Sequence, residues 1–232
     1  MKETILITGA NRGIGLELAR EFVRNDWEVI ACCRRPAEAA DLQAIEAGSR
    51  GGLTIRQLDV TSDAEIRSLA DSMRGKPIDI LFNNAGILGP EKQDFGKLDE
   101  EEWLSVFRVN TIAPYKMILA LLDNVLLGHR RIIATLGSAM GSISENSSGD
   151  YYVYRTAKAA VHMIMKNLSI DLRQQGVTAV AMHPGWVRTR LGGPQAPLSP
   201  EESAEGLCAV LTALTLEKSG ALLDYQGREM AW

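Results

Sequence analysis

Tyr154 and Lys158 stand four positions apart in "GDYYVYRTAK" (149–158), a stretch that holds three of the chain's five tyrosines. On a helix that spacing puts the phenol and the ammonium on one face, one turn apart. A free phenol, with a pKa near 10, is a poor proton exchanger at neutral pH. A cation one turn away favours the phenolate, and bringing the pKa towards ~7 takes about 4 kcal/mol of differential stabilisation. The pair is therefore expected to move a proton, with Tyr154 as the acting residue. Tyr151 and Tyr152 lack the arrangement, because Arg155 and Thr156 follow them at the same interval. The Tyr151–Arg155 pair faces about 60° away on a helix of 3.6 residues per turn. Both are read as wall or packing residues.

Other polar groups lie where a reaction would need them. Ser138 follows an apolar run in "LGSAMG", where its hydroxyl could donate to a developing alkoxide. Ser142 is the alternative; Ser138 is favoured because strand ends position groups more firmly than loop interiors. Near the start, "TGANRGIG" places Gly9, Gly13 and Gly15 between a strand and a helix. Such a turn lets backbone approach a pyrophosphate at the helix N-terminus, although a tight turn alone would also explain three glycines. The spacing G-x-x-x-G-x-G departs from the G-x-G-x-x-G fingerprint. "ACCRRP" then offers Arg34 and Arg35 where a ribose-binding carboxylate would favour NAD(H). With Arg12, these cations favour a 2′-phosphate and hence NADP(H) over NAD(H), Arg34 being the first choice. His129, His162 and His183 are scattered, and three cysteines give neither metal-ligand spacing nor a disulfide framework. No metal is expected, and a reducing cytoplasm is the expected compartment.

These groups need a scaffold, and the apolar pattern describes one. Short runs at 4–8, 28–33, 53–58, 78–82, 131–137 and 178–183 read as strands, with 221–225 as a last one. Helices are expected at 13–25, 37–47, 63–73, about 100–127 with a break near Pro114, 152–175 and 200–217. Thr61 or Ser62, and Ser199, are expected to cap two of them. The alternation predicts a single α/β domain over 1–232: a Rossmann-type, doubly wound parallel sheet of about seven strands with helices on both faces. A net charge of −4 and a pI near 5.5 argue against nucleic acid as partner. The longest apolar stretch, "MILALL", is far too short to span a membrane, and no signal peptide is expected before the glycine turn.

Six stretches in order resemble the short-chain dehydrogenase/reductase family in its compact form: "TGANRGIG", "LDVT" (58–61), "NNAG" (83–86), Asn110 in "VNT", "YRTAK" (154–158) and "HPGWVRT" (183–189). "GSISENSSGDYYVYRTAKAA", "GGPQAPLSPEES" and "REMAW" are most similar to the branch containing C-factor and the sniffer carbonyl reductases. The resemblance implies that Gly9, Asn11, Arg12, Gly13, Ile14 and Gly15 wrap the cofactor phosphates. Asp59 would meet the adenine amino group with Val60 beside the ring. Asn83, Ala85 and Gly86 would pass close to the ribose while Asn84 steadies the sheet. Pro184, Gly185 and Val187 would bend around the nicotinamide, and Thr189 would cap a short helix and contact the carboxamide. Lys158 would hold ribose hydroxyls, and the cofactor's own positive charge would help it lower the phenol's pKa. Asn110 would bond backbone and hold a water leading to Lys158. Gly137 stands where the family commonly has a serine, and the 16-residue interval from Ser138 to Tyr154 is longer than usual.

The expected activity is that of an NADPH-dependent carbonyl reductase or alcohol dehydrogenase. Its substrate would be a small, partly apolar carbonyl or alcohol, bound with Ser138, Tyr154, Lys158 and Asn110 as the reacting set and 186–199 as a lid. The alternative is an NADP(H)-binding protein of the same fold that acts as a redox sensor or signalling factor. A homodimer or homotetramer is expected, paired through helices near 112–127 and 152–175.

Overall fold

Apolar side chains alternate faces in "TILIT", and each face meets a core of its own. Ile5 and Ile7 join one buried cluster, whereas Leu6 joins the other. This first strand therefore lies inside the sheet with both faces covered, as parallel strands require. The computed structural model describes residues 2–232. Its strands are β1 (Thr4–Thr8), β2 (Glu28–Cys33), β3 (Leu53–Gln57), β4 (Ile80–Asn83), β5 (Ile132–Leu136), β6 (Thr178–His183), β7 (Leu222–Asp224) and β8 (Glu229–Met230). They form one sheet in the order β3-β2-β1-β4-β5-β6-β7-β8. All neighbours are parallel except β8, which runs antiparallel to β7. This is the doubly wound α/β architecture expected, with eight strands rather than about seven.

The helices are α1 (Gly13–Arg24), α2 (Ala40–Gly48), α3 (Asp63–Met73), α4 (Glu100–Phe107), α5 (Ala113–Leu127), α6 (Tyr152–Asp171) and α7 (Pro200–Ala213). Side chains of α1, α2 and α7 fill one core, and those of α3, α5 and α6 fill the other. Each fully buried Leu or Ile contributes roughly 1.5–3 kcal/mol to this arrangement. Ser62 and Asp99 cap α3 and α4 by accepting from main-chain N–H groups three residues on, and Ser199 with Glu202 forms a capping box on α7.

Several helix limits differ from the sequence expectation. The break near Pro114 is a π turn over Arg108–Ile112, after which Pro114 lies in the first turn of α5, a position that tolerates its missing N–H. Helix α6 stops at Asp171, followed by a short 3-10 turn that closes on Gly176 at φ +72°. Helix α7 ends at Ala213, and 216–218 is a separate 3-10 turn. None of the described helices is long and apolar enough to cross a membrane.

Strand order reverses between β1 and β4. In such sheets a crevice opens outside the C-terminal strand ends at that point. The glycine turn after β1, "NNAG" after β4 and Ser138 after β5 all lie at this end of the sheet.

Candidate active site

The crevice floor is knitted by Asn84. Its Nδ2 donates to the carbonyls of Thr8 and Gly9 at 2.8 and 3.1 Å, while Thr8 Oγ1 accepts from the N–H groups of Asn84 and Ala85, both at 3.1 Å. This closes β1 against β4, in agreement with a sheet-steadying role for Asn84. A Cβ on Gly9 would stand 2.9 Å from Ala85 Cα, and one on Gly15 would stand 2.6 Å from Gly9 O. Gly13 takes φ +54°, and Thr189 Cγ2 lies 3.2 Å from where its Cβ would be.

The residues present fit a dinucleotide. No side chain caps α1, and no acidic residue occupies its first turn, so its N-terminal amides remain available to an anion. Asn11 and Ile14 lie half-buried on either side of exposed Arg12. Arg35 is engaged by Glu38 at 3.0 Å. Arg12 and Arg34 are exposed and form no ion pair among the described residues. Arg34 lies near enough to Asp59 to help hold its carboxyl below the usual range, although burial works the other way and bonds from Thr61 contribute more than the arginine. Those bonds run from Thr61 N and Oγ1 to Asp59 Oδ1 at 2.9 and 2.7 Å. Val60 packs at the rim of the core beside it. Asn83 is buried at the end of β4 with neither side-chain polar atom partnered, which is unusual for an amide that far from water.

Tyr154, Lys158, Ser138 and Asn110 converge and are all buried. Tyr154 and Lys158 project from one face of α6, with Lys158 Nζ 5.6 Å from the phenol ring centroid. Lys158 Nζ donates to the Leu136 carbonyl at 2.6 Å, at the end of β5. Asn110, within the π turn, bonds both polar groups of Ile87: Oδ1 accepts its N–H at 2.9 Å and Nδ2 donates to its carbonyl at 2.8 Å. A Cβ on Gly86 would stand 3.3 Å from Asn110 Oδ1 and 3.8 Å from Lys158 Nζ, so both side chains meet over Gly86. Ser138 accepts from the Met140 N–H at 3.1 Å and heads a 3-10 turn over Ala139–Gly141. Ser142 is turned to another task, accepting from the Glu145 N–H at 3.1 Å.

The electrostatics differ from the expectation in one respect. The phenol is not drawn down by Lys158 but pushed up to about 12 by burial, with the Ser138 hydroxyl offsetting part of the rise. Burial also pulls Lys158 down to about 8. Desolvation disfavours both charged forms, and at this separation the ammonium, bonded to a carbonyl, does not compensate. At neutral pH the phenol therefore holds its proton.

Thr189 caps no helix. Its Oγ1 accepts from the Gly192 N–H at 3.1 Å in a turn. Segment 186–199 folds on itself through a bridge between buried Val187 and Leu198, and Trp186 Nε1 donates to the Gly192 carbonyl at 2.8 Å. Pro184 is tied back to α7, its carbonyl accepting from Ser203 Oγ at 2.7 Å, and Gly185 leads into the segment. Tyr151 and Tyr152 both border solvent, Tyr152 with its ring 6.1 Å from that of Phe95.

Three supporting residues escaped the sequence reading. Gln93 is buried, with Nε2 donating to the Leu88 and Pro90 carbonyls and Oε1 accepting from the Tyr154 N–H. Arg155 bonds the carbonyls of Met140, Gly149 and Asp150 and the hydroxyl of Ser148. It thereby holds a loop in which Asp150 and Tyr151 take φ of 50° and 51°, a conformation costly to side chains. Its place inside "YRTAK" was the available signal. His183 ends β6 in register with Asp224 of β7, whose carboxylate is bonded to Arg228, and His183 Nδ1 accepts from the Ala139 N–H at 3.2 Å.

A Rossmann-type sheet whose crevice joins a glycine turn to a buried Tyr–Lys pair defines a dinucleotide-dependent oxidoreductase. The family model described as short chain dehydrogenase matches residues 3–197, and the chain belongs to that family. C-signal of Myxococcus xanthus is 38% identical over 167 residues, which cover 72% of this chain and all of that protein. The carbonyl reductase Sniffer of D. melanogaster superposes with a TM-score of 0.94 at 29% identity, with all of both chains covered. An NADPH-bound carbonyl reductase from chicken fatty liver gives a TM-score of 0.91 at 32% identity, covering 100% of this chain and 94% of that one.

Proposed function

We propose that the protein is an NADPH-dependent carbonyl reductase acting on small, partly apolar aldehydes or ketones. The observation that carries this reading is the burial of Tyr154, Lys158 and Ser138 together at the crevice that starts with the glycine turn. The α1 N-terminus with Gly9–Gly15 would hold the cofactor pyrophosphate, Arg34 and Arg12 its 2′-phosphate, and Asp59 and Val60 its adenine. Asn83, Ala85, Gly86 and Lys158 would face the riboses, and Pro184, Gly185, Val187 and Thr189 the nicotinamide end. When bound, NADPH supplies the hydride. Ser138 would donate a hydrogen bond to the substrate carbonyl oxygen, where negative charge develops. Tyr154, protonated at neutral pH, would hand its proton to that oxygen. With the oxidised nicotinamide's positive charge added to its own, Lys158 would stabilise the resulting phenolate, and a water held by Asn110 would return the proton through Lys158. Residues 186–199 would close over the substrate as a lid.

The same reading places the protein in a reducing cytoplasm as a homodimer or homotetramer. Tyr115, Leu119, Met163 and Ile170, exposed on α5 and α6, supply the apolar contact. The likeness to C-signal supports a second reading, an NADP(H)-binding redox sensor or signalling factor. Oxidation of NADPH and of NADH by the purified protein, measured across aldehydes, ketones and diketones, separates the two. Turnover lost in Tyr154→Phe supports the reductase; tight NADPH binding with no turnover on any carbonyl supports the sensor.

A further inference from the structure

Resting on the reductase reading, we infer that His162 is a positioning residue that sets the main chain of Ser138 through its imidazole Nε2. His162 lies one turn beyond Lys158 on α6 and is buried. Its Nε2 accepts from the Ser138 N–H at 3.3 Å, so the ring proton sits on Nδ1. That nitrogen is buried without a hydrogen-bond partner. The ring is enclosed on three sides. A Cβ on Gly137 would stand 2.5 Å from Nε2, one on Gly141 would stand 2.6 Å from Cε1, and Trp232 meets the imidazole edge-on at 5.5 Å. The glycines on either side of Ser138 are thus the space the imidazole needs. This accounts for Gly137, the departure from the family pattern noted in the sequence.

A second imidazole acts beside the first. His183 Nδ1 accepts from the Ala139 N–H at 3.2 Å. Trp232 also pins the far end of the loop, its carbonyl accepting from the Ser144 N–H at 3.0 Å. The bond to Ser138 requires an unprotonated Nε2. Burial, with Lys158 and His183 nearby, pulls the His162 pKa down to about 3, against the opposing main chain of Gly141. The acceptor therefore persists at neutral pH.

Two substitutions separate an acceptor from a filler. His162→Gln can place an amide oxygen near the position of Nε2, whereas His162→Leu fills space without accepting. Because a misplaced group costs up to about 10²-fold, His162→Leu is expected to lower kcat by ~10- to 100-fold with substrate KM little changed, and His162→Gln to recover most of it. In a Ser138→Ala background His162→Leu should cost nothing further, since both act through one hydroxyl. Equal losses in Leu and Gln, or the same Leu loss without the Ser138 hydroxyl, would overturn the inference. Nitrogen-15 NMR of the imidazole gives an answer independent of turnover: Nδ1–H with bare Nε2 is expected, and an Nε2–H tautomer refutes the bond. If the wild-type protein reduces no carbonyl, the reductase reading fails, while the tautomer still decides the placement.

Discussion

Gln93 and Tyr154 are joined through a 2.9 Å hydrogen bond from the tyrosine's main-chain N–H to the buried amide oxygen of Gln93. The bond ties the loop after β4 to the first turn of α6, the helix that carries Tyr154 and Lys158. All three hydrogen bonds of the Gln93 side chain are internal, so Gln93→Ala leaves the Tyr154 N–H and two loop carbonyls without it. The expected loss is about 2 kcal/mol, or roughly 4–8 °C in Tm for a chain of this size. Thermal unfolding followed by circular dichroism measures it; an unchanged Tm would show that the amide bears no load.

Tyr154→Phe removes the phenolic hydroxyl and little volume. Turnover is expected to fall by ~10²–10⁴-fold, with NADPH affinity, read by cofactor fluorescence, close to that of wild type. Ser138→Ala should lower kcat by ~10²–10³-fold. Ser142→Ala removes only the bond from the Glu145 N–H and should leave kcat near the wild-type value. Comparable losses at both serines would contradict the assignment of Ser138.

Arg34→Ala removes an unpaired cation from the end of β2. Charge-assisted bonds contribute about 1.5–3 kcal/mol, so the Kd for NADPH should rise roughly 10- to 100-fold while that for NADH barely moves. Arg35, already engaged by Glu38, provides the control. A strong NADH preference that survives Arg34→Ala would remove the phosphate contact from the account.

Lys158 makes stability depend on pH in a defined window. In the folded protein it titrates near 8, against 10.5 ordinarily. Between those values the unfolded chain binds the extra proton, so stability rises with pH, by roughly 3 kcal/mol across the window. Tyr154 acts in the opposite sense above pH 10, where the unfolded chain loses a phenolic proton that the folded one keeps. Urea unfolding from pH 7.5 to 9.5 should show the rise in wild type and its loss in Lys158→Met. Parallel curves for the two proteins would contradict the shift.

Much of the scaffold is legible because strands buried on both faces announce themselves as continuous apolar runs; β1, β2 and β6 match the expected limits residue for residue. The two-residue β8 has no periodicity to read, and only its pairing with β7 defines it. The π turn is hidden for a similar reason, since Pro114 marks a break but not its kind. Within the site, Tyr154 and Lys158 are evident from their spacing, while the sign of the phenol's shift is not. That sign depends on how deeply both groups are buried, and burial belongs to the assembled protein. Gln93 leaves no trace in a one-dimensional reading, because its partner lies 61 positions away. His162 and Gly137 illustrate the same limit: the odd glycine is visible in the chain, but the ring that needs its space is 25 positions on.

The approach of Thr189 to Gly13 joins the first helix to a turn about four-fifths of the way along the chain. Contacts so distant in sequence form late in folding, because loop-closure entropy must be met before they give any return. The wall that Thr189 gives the crevice is therefore added after the floor between β1 and β4. A nascent chain that has not yet emitted residue 189 can shape the first βαβ units, but the crevice still lacks its wall beside Gly13. Binding competence would then appear abruptly during synthesis, once the sixth strand and the turn beyond it are in place.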